Sequence, residues 1–240
     1  MKMMTPAWPQ WRVQVCTTTI AGGVSEGPFA ALNLATHVGD APASVAENRR
    51  RLRETLRLPA EPFWLEQVHG CVVCAAAQPH GGAPVAADGA LVTRPGVVAA
   101  VLTADCLPVV LADRRGRAAA VLHGGWRGLA GGIIEAGVAG LDLAPKRLMA
   151  WLGPAIGAAD YEVGADVRTA FGERAQGAFV ANARGRYFAD LYALARLRLR
   201  DAGVTEIYGG GRSTLQDPDC FSFRRQAVCG RMATLAWIDG

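Results

Sequence analysis

The stretch VVAAVLTADCLPVVLADRRGRAAAVLHGGWRG, residues 97–128, decides the fold. It holds three short apolar runs, Val97 to Leu102, Pro108 to Leu111 and Ala118 to Leu122. Each is a short run of Val, Leu and Ala bounded by turn or polar residues, and reads as buried strand. Asp113-Arg114-Arg115-Gly116 supplies a turn between the second and third runs. Gly124 to Gly128 reads as a loop, and Ile133 to Leu141 follows as a helix.

Working outward, residues 11–20 read as a strand entering the turn at Gly22-Gly23. Ala43 to Arg57 is a predicted helix, because Val45, Leu52 and Leu56 fall on one face. Pro59 closes it, since a residue before proline avoids helical angles. Phe63 to Val68 is extended and ends at His69-Gly70. Downstream, Leu148 to Leu152 and Thr205 to Tyr208 read as strands, and Asp166 to Phe171 and Leu191 to Asp201 as helices. Arg231 to Trp237, polar at first and then apolar, is expected to be the last helix. Strands and helices are mixed without a steady βαβ alternation, so a doubly wound sheet is not expected.

About half of the 240 residues are hydrophobic (51%), enough to bury a core without disulfides. The net charge is +4, and no basic stripe interleaved with aromatics marks a nucleic-acid partner. Arg196, Arg198 and Arg200 alternate with leucines and are expected on the wet side of a helix end. No run approaches the ~18 apolar residues that span a bilayer. Residues 1–14 contain no apolar signal region, so a cytoplasmic location with six reduced cysteines is expected. No amphipathic face argues for an obligate protein partner.

The chemistry-bearing residues gather at strand ends: His69 before Gly70, Cys106 after Asp105, and His123 before Gly124-Gly125. Strand ends at one sheet edge can converge their side chains. Two imidazoles and a thiolate would fill three of zinc's four positions and leave one open for water or substrate. The same donors accommodate copper. Other readings stay open from the residues alone. The three side chains could simply satisfy buried backbone groups, or Cys106 could be a nucleophile with a histidine base. The Cys71-Val72-Val73-Cys74 pair lacks a second CxxC and reads as ordinary strand cysteines.

Several segments carry a resemblance: Glu66-Gln67-Val68-His69-Gly70, Ala87-Asp88-Gly89, Leu102 to Pro108, and His123-Gly124-Gly125-Trp126-Arg127-Gly128. Leu32-Asn33-Leu34, His37-Val38-Gly39-Asp40, Tyr161-Glu162-Val163-Gly164, Phe221 to Arg225 and Gly230-Arg231-Met232 extend it nearly end to end. In these motifs the sequence resembles the family variously called laccase-domain polyphenol oxidase, purine nucleoside phosphorylase and peptidoglycan editing factor. The resemblance implies one catalytic domain over 1–240, with an α+β fold layered α/β/β/α and similar to cysteine-hydrolase-like toxins. It places the zinc ligands on His69, Cys106 and His123. It implies phosphorolysis of adenosine, inosine and methylthioadenosine, and deamination of adenosine. Alternatives it also implies are an amidase removing a wrong amino acid from a UDP-MurNAc peptidoglycan precursor, and a copper-dependent polyphenol oxidase. For the oxidase, three ligands are few, and only His37 and His80 remain as further histidines.

In the nucleoside reading the small-molecule partners are a nucleoside and phosphate. Asp105 and Arg127 are the expected catalytic residues. Arg forks suit the phosphate oxygens, which points to Arg127 and Arg224. Trp126 is expected in the pocket wall, and Asn33 and Gln67 are candidate substrate contacts or turn-forming polar residues. The sequence departs from the family pattern at Ile20-Ala21, where an Arg usually precedes the Gly-Gly, and at Gln226 to Cys229.

Overall fold

The computed structural model describes residues 1–9, 12–77 and 84–240. Two sheets stack face to face, each covered outside by helix. A four-stranded antiparallel sheet runs Met3–Met4, Val13–Thr18, Met232–Ile238, Val98–Thr103. A six-stranded sheet runs Glu206–Gly209, Leu148–Leu152, Leu107–Asp113, Ala119–Gly124, Gly89–Val92, Val73–Ala75. Its outermost pair at each end is parallel and the interior is antiparallel.

Burial follows from the period of two along a strand. On Leu107–Asp113, Val109 and Leu111 pack with Ile133, Ile134 and Leu194 of the outer helices, while Val110 and Ala112 face the intersheet layer with Val101, Met149 and Ala236. On the far side Ala100, Ala233 and Leu235 pack with Leu52 of the helix Pro42–Leu56. The layers are therefore helix, sheet, sheet, helix, and the α/β/β/α expectation holds.

The segment expected as the last helix is instead the strand Met232–Ile238. It pairs on both sides, with Val13–Thr18 and Val98–Thr103, and both faces are covered. A strand apolar on both faces has no polar alternation to reveal it. The helix Trp126–Gly131 also replaces part of the predicted loop, since Gly128 packs inside it rather than breaking it. The alternating arginines are not simply a wet face. Arg198 donates to the Leu129 and Ala130 carbonyls and pairs with Glu135, and Arg196 donates to the Gly209 carbonyl; of the three only Arg200 is exposed. Arg198 thus closes the C-terminal carbonyls of the helix that carries Trp126 and Arg127. No described helix is long and apolar enough to cross a membrane.

Candidate metal centre

The loop Ala104-Asp105-Cys106 is the point where the chain leaves Val98–Thr103 in one sheet and enters Leu107–Asp113 in the other. His123 lies near the end of the neighbouring strand, directly opposite Pro108. His69 follows the short strand Leu65–Glu66. Gln67 staples that segment to the crossover: its amide accepts from the Leu102 N–H at 2.7 Å and donates to the Leu102 carbonyl at 2.9 Å.

These placements bring His69, Cys106 and His123 together, with one ligand atom of each within 4.8 Å of the others. Cys106 Sγ lies 3.9 Å from His69 Nε2, and the two imidazoles meet edge to face at 4.7 Å between centroids. Gly125 covers the group so closely that an added Cβ would sit 3.1 Å from His69 Cδ2 and 3.3 Å from Cys106 Sγ. Burial works against a Cys106 thiolate, yet the charge of His123 and hydrogen bonds from both histidines bring its pKa down to about 6. Burial likewise works against a charged His123, but the Cys106 and Asp88 negative charges hold it up at about 9. A soft thiolate with two imidazoles is a donor set that suits zinc or copper, and a metal would take the place of the proton that His123 shares with Cys106.

A cavity of about 360 Å³ opens over this group. Trp126, Arg127 and Arg224 line it, and so do Tyr161, Phe223 and Arg231. Each arginine sits over an aromatic ring: Arg127 over Trp126 at 4.3 Å, Arg224 over Tyr161 at 5.0 Å, Arg231 over Phe223 at 5.9 Å. Trp126 serves both as wall and as packing against the helix-side core. Arg224 also donates to the Glu162 carbonyl at 3.1 Å and Arg231 to the Cys229 carbonyl at 2.7 Å. Among the described residues no hydrogen bond or ion pair engages the Arg127 guanidinium.

Three of the candidate residues are held by protein partners. Asp105, at φ +91°, accepts from the Thr214 hydroxyl at 2.6 Å and from the Arg224 N–H at 2.7 Å. Both oxygens are engaged, which ties Asp105 to the Arg224 segment, and the residue lines the cavity beside Cys106. Asn33 is fully buried away from the cavity; it bonds Ala35 and Asp40 and accepts the Arg231 N–H at 2.9 Å. Gln67 lines the cavity, but its amide is committed to Leu102. Sequence reasoning assigned no role to Asp88, Tyr161, Phe223 or Arg231. The only signal was their place in motifs, because a buried carboxylate or an aromatic looks like any other until its neighbours are known. His80 lies outside the described residues.

Cys74 lies in the strand Val73–Ala75, and Cys71 Sγ packs toward the Gly128 carbonyl at 3.5 Å. Neither belongs to the His69–Cys106–His123 group. The Cys71→Ala, Cys74→Ala double variant should keep its full metal content and lose roughly 1–2 kcal/mol of stability, as cavity-forming changes at half-buried sites do. Metal analysis and thermal melting check this; a metal loss matching that of Cys106→Ala would contradict it.

The sequence matches the family model described as multi-copper polyphenol oxidoreductase laccase over residues 14–239. It is 48% identical to the purine nucleoside phosphorylase PA4543 of Pseudomonas aeruginosa, over 98% of both chains. It is 45% identical to the purine nucleoside phosphorylase YfiH of Escherichia coli, over 99% of both. The crystal structure of the Neisseria meningitidis protein NMB0706 superposes with a TM-score of 0.96 at 45% identity over the whole of both chains. That of YlmD from Geobacillus stearothermophilus gives 0.88 at 31% identity, covering 95% of this chain and 93% of that one. With the layered fold and the His-Cys-His group in place, these matches make the chain a member of the multi-copper polyphenol oxidoreductase laccase family, to which relatives named purine nucleoside phosphorylases are closely similar.

Proposed function

We propose that the protein is a zinc-dependent purine nucleoside phosphorylase acting on adenosine, inosine and methylthioadenosine, with adenosine deamination at the same site. The names of its relatives support the phosphorylase class. The observation that carries the reading is the pairing, in one cavity, of a soft three-donor group with Arg127, a guanidinium without an acceptor among the described residues. At about 360 Å³ the cavity lies within the ~300–1,000 Å³ of small-molecule sites.

His69, Cys106 and His123 would hold the metal. When bound, zinc would supply Lewis acidity and a means of activating water at neutral pH. Copper is the alternative occupant of the same donors. Arg127 would grip the phosphate dianion through its planar fork, and Arg224, steadied at Glu162 and Tyr161, would add a second positive charge. In phosphorolysis a phosphate oxygen attacks C1′, the C1′–N9 bond breaks, and the purine leaves with its electron pair and takes up a proton. In deamination water adds at C6 and ammonia leaves. Trp126 and Tyr161 offer flat walls for the base and exclude water from it.

The test is a product screen on purified protein with adenosine, inosine and methylthioadenosine, each with and without phosphate. Free base should appear only with phosphate, and inosine should form from adenosine without it. Base release that ignores phosphate would mark a hydrolase instead.

A further inference from the structure

Asp88, just ahead of the strand Gly89–Val92, is fully buried and accepts four hydrogen bonds. Oδ1 takes the His69 N–H at 2.9 Å and lies 2.8 Å from His123 Nδ1. Oδ2 takes the Gly70 N–H at 2.6 Å and the Val68 N–H at 3.2 Å. Three successive amides therefore converge on one carboxylate. Their convergence holds His69 at φ +61°, a left-handed conformation that a residue with a β-carbon rarely adopts. The Asp88 carbonyl also accepts the His123 N–H at 2.7 Å, so the two residues are tied through both backbone and side chain.

We propose that Asp88 is the positioning residue of the metal centre: one carboxylate sets both histidines, His69 through its backbone and His123 through its ring. The inference rests on reading the His-Cys-His group as a metal centre. A carboxylate only accepts, so His123 Nδ1 must donate. In the neutral imidazole the lone pair then lies on Nε2, the nitrogen left for a metal. The same carboxylate fixes the turn that brings His69 Nε2 beside Cys106 Sγ. Ligand orientation by an outer carboxylate is a general device, and losing one typically weakens metal binding about 10- to 100-fold.

Asp88→Asn separates this role from simple packing, because the amide has the same shape but one oxygen where two are needed. If its NH2 meets His123, Nδ1 must become the acceptor and the proton moves to Nε2, which can no longer bind a metal. If the NH2 meets the Val68 and Gly70 amides, donors oppose donors and the His69 turn loosens. Zinc affinity, measured by competition with a chromophoric chelator, should fall about 10- to 100-fold in Asp88→Asn. The cobalt-loaded variant should show an altered visible absorption spectrum. Asp113→Asn is the control, since Asp113 is an equally buried carboxylate paired with Arg117 and Arg147 far from the cavity. It should lose stability while keeping its zinc affinity. Wild-type affinity in Asp88→Asn, with affinity lost in Cys106→Ser, would overturn the role of Asp88 alone. Retained zinc in Cys106→Ser would overturn the metal-centre reading together with it. Should Asp88→Asn not fold, nitrogen-15 spectra of the zinc-loaded wild type decide. His123 protonated at Nδ1 supports the proposal, and protonation at Nε2 overturns it.

Discussion

His123→Ala is expected to lose zinc and both nucleoside reactions together. His123 is 3% exposed, held on its strand opposite Pro108 and by its ring against Asp88. Among the described residues no other imidazole belongs to the group, and His37, the further histidine lining the cavity, lies outside it. The loss in metal affinity should exceed the ~10–100-fold that outer-sphere partners command, because a donor is removed outright. Deamination should vanish, and phosphorolysis should fall with it through lost placement of the substrate. The change also takes the ring partner from the Asp88 carboxylate, which keeps only its three backbone amides, and losing one hydrogen bond to a buried charged group costs ~1.5–3 kcal/mol. Cys106→Ser avoids that problem, since it alters one atom and leaves the Asp88–His123 bond intact. It should fold as the wild type does and lose most of its zinc. Unchanged rates in a folded His123→Ala would contradict the metal mechanism.

Arg127→Ala is expected to divide the two reactions. Phosphorolysis must bind a phosphate dianion and deamination need not. A hydrogen bond to a charged group is worth ~1.5–3 kcal/mol, which corresponds to roughly a 10- to 150-fold loss in phosphorolytic kcat/KM. Deamination should change only about threefold or less, from lost packing against Trp126. The rates to compare are adenine formed with phosphate and inosine formed without it. Equal losses in both would remove Arg127 from the phosphate role and transfer it to general substrate binding.

Much of this arrangement was legible in residues 97–128, where short apolar runs between turn residues read as strands and where Cys106 and His123 fall at their ends. The layered fold followed from mixed elements and from family motifs. Other parts were hidden for physical reasons. Met232–Ile238 is covered on both faces, so its period of two does not appear in hydropathy. Trp126–Gly131 begins after two glycines and contains two more, a composition that reads as loop until Arg198 and the core fix it as helix. Asp105 and Asn33 are polar residues inside motifs, and only the fold reveals that they accept the backbone N–H groups of Arg224 and Arg231. Asp88 is the sharpest case, because its importance lies in four hydrogen bonds to residues 18 to 35 positions away.

The most direct test is metal removal and return on a single preparation. Protein stripped with a chelator, then assayed for adenine release from adenosine and phosphate, should be inactive and should regain activity as zinc is added, saturating near one zinc per chain. Cys106→Ser should stay inactive throughout. Full phosphorolytic activity in the stripped wild-type protein would contradict a metal centre at His69, Cys106 and His123 as the seat of the reaction.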